Sequence, residues 1–440
     1  MNETENWNWP GHFEYRDGEL HCEQLRAEEL AEEYETPCYV YSAASFRERF
    51  RNIRDAFSEW DPLVCFSIKS CGNLSVLKVL NECGSGFDVV SGGEIFRALK
   101  AGADPEKIVY AGVGKTREEI AYALRKGIKM FNVESGQELR TIDHVAKDLG
   151  TVGQVALRVN PDVDPGTHEK TTTGKKENKF GIGLGIAEEL TKEAQHMSGV
   201  NVRGFHVHLG SPITSTKPYE LAMGKLVEFV TRVRTAGCDV DTINIGGGYC
   251  ISHTGEKVTQ PREYAAAVRN FLEKLDCQVI IEPGRYIAGN SGILLTKVIY
   301  RKESSHGKVF LICDAGMNDL MRPTLYDAFH RIWPVCSEGG VPEVTRPDDT
   351  RYDGFDTEKV DVVGPVCESG DYLAKDRTLP VMPAGRLLAV FSTGAYGSTM
   401  SSNYNARPRP PEILVDGQQA RMVRRRETRD DLVAGEADLL

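Results

Sequence analysis

Along the middle of this chain, short apolar runs alternate with longer amphipathic stretches. The runs are Leu63–Ile68, Gly86–Val90, Ile108–Ala111, Met130–Val133, Gln154–Val159, Val202–His208, Val240–Ile245 and Val279–Ile281. Between them lie stretches with helical spacing, such as Leu74–Asn81, Gly93–Ala101, Thr116–Lys126 and Ser135–Asp148, ended by Gly or Asp-Pro. Eight such units in roughly 220 residues predict an α/β fold with a closed (β/α)8 TIM-type barrel, the alternative being an open doubly wound sheet. After Gly289 the helical pattern gives way to strand-like runs at Ile293–Tyr300, Lys308–Cys313, Lys359–Val363, Arg386–Phe391, Glu412–Val415 and Ala420–Val423. Pro37–Tyr41 is also strand-like. The expected organisation is therefore a segment 1–42 that joins a second, discontinuous β-rich domain at 290–440, with the barrel at 43–289 between them. The polar stretch Cys336–Thr357 reads as a long surface loop.

Polar residues gather at the carboxyl ends of the barrel runs. They are Lys69, Asp88, Glu134, Arg158 with Asn160, His208 closing the sixth run, Gly246-Gly247-Gly248 and Glu282. In a closed barrel these ends face one mouth, where barrel enzymes keep their chemistry.

The 440 residues are 40% hydrophobic and carry a net charge of −11, which offers no electrostatic footprint for nucleic acid. Arg424-Arg425-Arg426 is followed at once by Glu427 and reads as a solvated edge. No run approaches a membrane span, and the N-terminus lacks a basic and apolar leader, so a cytoplasmic protein is expected. Eleven cysteines, an odd number scattered without a CxxC pair, suit free thiols in a reducing compartment. His206 and His208 could begin a metal site, but no third histidine shares their context, and no metal is expected.

Lys69 follows an apolar strand, where burial would lower its pKa and leave a nucleophilic amine for Schiff-base chemistry. Three consecutive glycines after the seventh run let backbone N–H groups approach an anion. Ser211, Gly284 and Arg285 add donors, and loops after strands seven and eight are the usual phosphate position. A phosphate site, a lysine and a carboxylate in one pocket suggest pyridoxal phosphate. Lys69 would hold it covalently, Glu282 would keep its ring nitrogen protonated, and His208 would lie on the ring.

The set Phe66-Ser67-Ile68-Lys69, His208-Leu209-Gly210-Ser211, Gly246-Gly247-Gly248, Glu282-Pro283-Gly284-Arg285, Cys367-Glu368-Ser369-Gly370-Asp371 and Gly394-Ala395-Tyr396-Gly397 resembles the barrel-type (fold type III) pyridoxal-phosphate decarboxylases. His168 with Thr173-Gly174, Asn178-Lys179-Phe180-Gly181-Ile182 and Met321-Arg322-Pro323-Thr324-Leu325-Tyr326 resemble the diaminopimelate branch rather than the ornithine branch. The resemblance covers nearly the whole chain. It departs at Ser67-Ile68-Lys69-Ser70-Cys71, where an Ala-Val-Lys-Ala-Asn type is commoner, and in the longer Cys336–Thr357 loop.

The resemblance implies a carboxy-lyase that converts meso-2,6-diaminopimelate to L-lysine and CO2, the last step of lysine biosynthesis. It implies that Ser211, the glycine triplet, Arg285 and Tyr396 hold the phosphate, with Asp88 and Arg158 beside the cofactor. It also implies that Cys367 of a partner subunit reprotonates Cα in a homodimer with shared active sites, and that Lys179 pairs with Asp371 across the interface. A substrate with a second amino-acid head needs a cation and an anion at its far end: Arg285, Arg322, Tyr326 and Tyr396 suit its carboxylate, and Glu368 its ammonium. The alternatives are a sister decarboxylase acting on another amino acid, which Arg322 and Glu368 argue against for simple diamines, and a non-catalytic binding homologue. Retention of both Lys69 and Cys367 speaks against the latter.

Overall fold

The computed structural model describes residues 12–164, 166, 179–337 and 356–440. His168, Thr173-Gly174, Asn178 and most of the expected loop Cys336–Thr357 lie outside them. The chain forms two compact units, one of Arg47–Ile251 and Val258–Ile287, the other of Met1–Phe46, Ser252–Lys257 and Ala288–Leu440.

The first unit is a closed parallel barrel. Its strands are β1 (Leu63–Ser67), β2 (Gly86–Val89), β3 (Ile108–Tyr110), β4 (Met130–Val133), β5 (Gly153–Asn160), β6 (Val200–His206), β7 (Thr242–Asn244) and β8 (Gln278–Ile281). Pairing of β8 with β1 (Ile280↔Leu63) and of β4 with β5 (Phe131↔Val155) closes the ring and excludes the open sheet. Side chains alternate along a strand, so every second residue faces the same side. Cys65, Val109, Met130, Ala156 and Ile280 form an apolar floor inside the barrel. Two positions further along four of those strands stand Ser67, Asn132, Arg158 and Glu282. The interior thus changes from apolar to polar within one strand repeat, and that change marks the mouth.

Three successive helices share one start signal, a Ser or Thr followed three residues later by Glu. Ser91, Thr116 and Ser135 accept the N–H groups of Glu94, Glu119 and Glu138. Each such cap contributes about 1 kcal/mol and sets where the chain leaves the mouth and turns into a helix. One expectation shifts here: β6 ends at His206, so His208 lies in the loop beyond the strand rather than closing it.

In the second unit the strand order is Tyr372–Pro380, Thr357–Val363, Val309–Cys313, Gly292–Glu303, Cys38–Ser42, Glu412–Asp416, Gln419–Arg424. Leu387–Val390 pairs with both Gly292–Glu303 and Ile332–Pro334. Cys38–Ser42 lies parallel to Glu412–Asp416 and antiparallel to Gly292–Glu303. Tyr372–Pro380, which the apolar pattern did not indicate, is an edge strand, where Lys375 and Asp376 can face water. The arginine run is not simply solvated: Arg426 donates to the carbonyls of Glu35 (3.0 Å) and Pro37 (3.1 Å), tying the run to the segment before Cys38–Ser42.

Candidate functional site

Lys69 stands in a single 3-10 turn, Ile68–Ser70, at the end of β1. Its Nζ lies 2.8 Å from Asp88 Oδ2 of the neighbouring β2, and the Ser67 hydroxyl donates to the same oxygen at 2.8 Å. The side chain is 35% exposed. The amine is therefore not buried in apolar surroundings, as its strand-end position suggested, but held at the mouth by a fully buried carboxylate. The other oxygen, Asp88 Oδ1, is buried with no hydrogen-bond partner among the described residues.

Glu282 follows β8 and is 4% exposed. Asn244 Nδ2 (2.6 Å) and Asn132 Nδ2 (2.9 Å) donate to its Oε1, and His206 Nε2 lies 3.1 Å from Oε2. Burial would raise this carboxyl, but the His206 contact and the Lys69 charge outweigh it and hold the group well below the usual carboxylate range. A carboxylate oxygen only accepts, so His206 Nε2 is the donor in this contact.

His208 Nδ1 accepts the Gly247 N–H at 3.2 Å. Burial, then the positive charges of Arg158 and Lys69, push this imidazole well below its usual pKa, so the ring is neutral. Gly246 and Gly248 have φ of +71° and +114°, and a side chain at Gly247 would begin 2.1 Å from the Glu282 carbonyl oxygen. Only glycines can form this loop against that backbone. Arg285 Nε donates to Ser211 Oγ at 3.2 Å, bringing two of the expected phosphate ligands together. Gly284 packs against Ser67 and Ser70, where a side chain would crowd both. Arg158 pairs with Glu134 at 2.6 Å, and its guanidinium lies over the Phe180 ring; Glu134 Oε2 accepts the Gly181 N–H.

A second group lies in the β unit. Arg322, 8% exposed, has its guanidinium 5.9 Å from the Tyr326 ring centre and 5.8 Å from that of Tyr396. Tyr396 has φ +59°, a left-handed conformation that a non-glycine residue adopts at a cost. Cys367 is exposed and its N–H donates to Asn405 Oδ1, while Glu368 Oε2 accepts the Tyr404 hydroxyl. Thr324 Oγ1 donates to the Gly370 carbonyl at 2.6 Å, tying the Arg322 helix to the Cys367 loop. Asp371 is buried, and its carboxylate accepts the N–H groups of Met317 and Val366, each at 2.6 Å. It pins the Cys367 loop from within.

Asn132 and Asn244 did not emerge as site residues from the sequence, and His206 emerged only as a candidate metal ligand. Their signal was a polar residue inside a strand that is otherwise buried and apolar. Lys115 was also missed. It is buried and places its three donors on Glu138 Oε1 (2.6 Å), the Gly112 carbonyl (2.7 Å) and the Asn132 carbonyl (2.9 Å), which limits the cost of burying its charge.

The pattern of the family described as Pyridoxal-dependent decarboxylase, pyridoxal binding domain, matches residues 43–289. A diaminopimelate decarboxylase of Pseudomonas aeruginosa is 45% identical over 97% of this chain and 98% of its own length. The chain belongs to the diaminopimelate decarboxylase family. Among solved members, the Helicobacter pylori enzyme complexed with L-lysine is 39% identical, with a TM-score of 0.86 over 94% of this chain and all of that one. The M. jannaschii enzyme in complex with L-lysine is 36% identical, with a TM-score of 0.89 over 97% of this chain and 98% of that one.

Members of this decarboxylase family use pyridoxal phosphate, and the barrel mouth suits it chemically. It offers an amine, an ionised carboxylate, a loop free of side chains beside Arg285 and Ser211, and the unpartnered acceptor Asp88 Oδ1.

Proposed function

We propose that the protein decarboxylates meso-2,6-diaminopimelate to L-lysine and CO2 as the last step of lysine biosynthesis, with pyridoxal phosphate held in the barrel mouth. The observation that carries this reading is the Lys69 amine and the ionised Glu282 carboxylate in one mouth, in a chain matched along nearly its full length by relatives of that name. Bound at Lys69, the cofactor supplies an electron sink for the pair left at Cα when CO2 departs. Glu282, clamped by two amides and His206, keeps a proton on the ring nitrogen. Gly246, Gly247, Gly248, Ser211 and Arg285 would hold the phosphate, and the neutral His208 imidazole would pack against the cofactor ring. Asp88 orients the Lys69 amine through Oδ2.

The substrate's far end carries an ammonium and a carboxylate. Arg322, beside the rings of Tyr326 and Tyr396, takes the carboxylate; Glu368 takes the ammonium. Cys367 Sγ delivers the proton that replaces CO2 at Cα, and it reaches the mouth from a second copy of the chain. Exposure of Cys367 on a loop pinned by Asp371 supports that role. The eleven cysteines, none of them in a disulfide, support a reducing, cytoplasmic setting.

The test is CO2 release by the purified protein with pyridoxal phosphate, offered meso-diaminopimelate, its LL isomer, L-lysine, L-ornithine and L-arginine separately. Turnover of the meso compound alone supports the reading. Turnover of ornithine or lysine in its place would overturn the substrate assignment, and silence on all five would overturn the activity.

A further inference from the structure

We infer that Asn244 is a positioning residue that couples the carboxylate serving the cofactor ring to the loop serving its phosphate, an inference that rests on the proposed roles of Glu282 and of Gly246-Gly247-Gly248. Asn244 is the last residue of β7 and is fully buried. The two ends of its amide are committed to different partners. Nδ2 donates to Glu282 Oε1 at 2.6 Å, and Oδ1 accepts the Gly246 N–H at 2.9 Å. A carboxylate accepts only and an N–H donates only, so the amide has one workable orientation.

The backbone runs in parallel with this side chain. The Glu282 N–H donates to the Gly246 carbonyl at 2.8 Å, so carboxylate and loop are joined twice within one residue of each other. Asn132 is the natural comparison. It donates to the same Glu282 oxygen from β4, yet its backbone carbonyl is held by Lys115 and neither contact involves the glycine loop. Loss of Asn132 removes one donor from Glu282. Loss of Asn244 removes a donor from Glu282 and also leaves the Gly246 N–H without its acceptor. Asn244 therefore sets the separation between the point that receives the ring nitrogen and the point that receives the phosphate, and it does so without touching either.

The experiment compares full-length Asn244→Ala, Asn244→Asp, Asn132→Ala and Glu282→Gln with the parent. Three quantities are read: affinity for pyridoxal phosphate, affinity for inorganic phosphate measured by competition, and the pH titration of the bound cofactor's visible absorbance. Asn244→Ala is expected to weaken cofactor and inorganic phosphate binding by roughly twofold to tenfold, the range for a neutral hydrogen bond, and to shift the titration. Asn244→Asp keeps the size of the side chain and its acceptor for Gly246 but sets a second carboxylate against Glu282. It should shift the titration further while retaining more phosphate affinity than Asn244→Ala, and it decides the matter if the alanine protein fails to fold. Asn132→Ala should shift the titration alone. Equal phosphate losses in Asn132→Ala and Asn244→Ala, or parental behaviour in both Asn244 variants, would overturn the inference. Glu282→Gln separates the two levels: a titration unmoved by that change removes the proposed role of Glu282 itself, whereas a moved one alongside silent Asn244 variants removes only the coupling.

Discussion

Lys69 Nζ lies 2.8 Å from Asp88 Oδ2, so the amine proposed to hold the cofactor is oriented by a carboxylate from the adjacent strand. Lys69→Ala should abolish covalent retention of the cofactor after borohydride reduction, read as loss of the pyridoxyl mass from the intact protein. CO2 release should fall by about three orders of magnitude or more. Persistence of the mass adduct would assign the attachment to another lysine.

Lys69 and Cys367 stand in different units of the chain and are proposed to meet only between two copies. Inactive Lys69→Ala and Cys367→Ala proteins, mixed and allowed to exchange subunits, should recover about a quarter of parental activity. Half of the dimers become hybrids, each with one intact mouth of two. Exchange verified by mass spectrometry without any recovery would refute a shared site.

Arg322 is buried beside the rings of Tyr326 and Tyr396 and donates to His330 Nε2, which fixes a cation proposed to meet an anionic substrate group. Arg322→Ala should raise KM for meso-diaminopimelate by roughly tenfold to a hundredfold, with a smaller change in kcat. Steady-state kinetics with unaltered KM would remove Arg322 from the specificity pocket.

Asp319 lies in the β unit, where Oδ2 accepts the Gly316 N–H and Oδ1 the Asn318 amide. Burial pushes its carboxyl up to about 7 from an ordinary value of 3.8. With the folded-state value raised, the folded chain binds more protons than the unfolded chain between those limits. Stability from this group is full below 3.8 and is lost as pH rises through about 7. Asp319→Asn should remove this dependence, flattening the pH profile of chemical unfolding between pH 5 and 7 by roughly 1 kcal/mol per pH unit. A variant profile parallel to the parent's would show that Asp319 does not titrate there.

The strand ends were legible before the fold was known. Lys69, Asp88, Arg158, Gly246 and Glu282 each stand at or just past the carboxyl end of an apolar run, and closure of the barrel delivers all of them to one side. The partners of Glu282 were not legible. Asn132 lies 150 residues away in sequence, Asn244 38 and His206 76, and although each is a polar residue in an apolar run, nothing local says which group it faces. The environment of Lys69 was misjudged for the same reason, because the Asp88 carboxylate that holds it arrives with the neighbouring strand.

By itself the sequence determined the alternation of elements, the helix starts at Thr116 and Ser135, the glycine loop and the identity of the reactive groups. All of these depend on side-chain period, capping and backbone freedom over a few residues. Tertiary structure alone decided that Glu282 is clamped and ionised, that Asp371 turns inward to pin the Cys367 loop, and that Arg322 is buried rather than on the surface. Each of these is a matter of desolvation and of which donor faces which acceptor, and both are set only when strands far apart in sequence close into one interior.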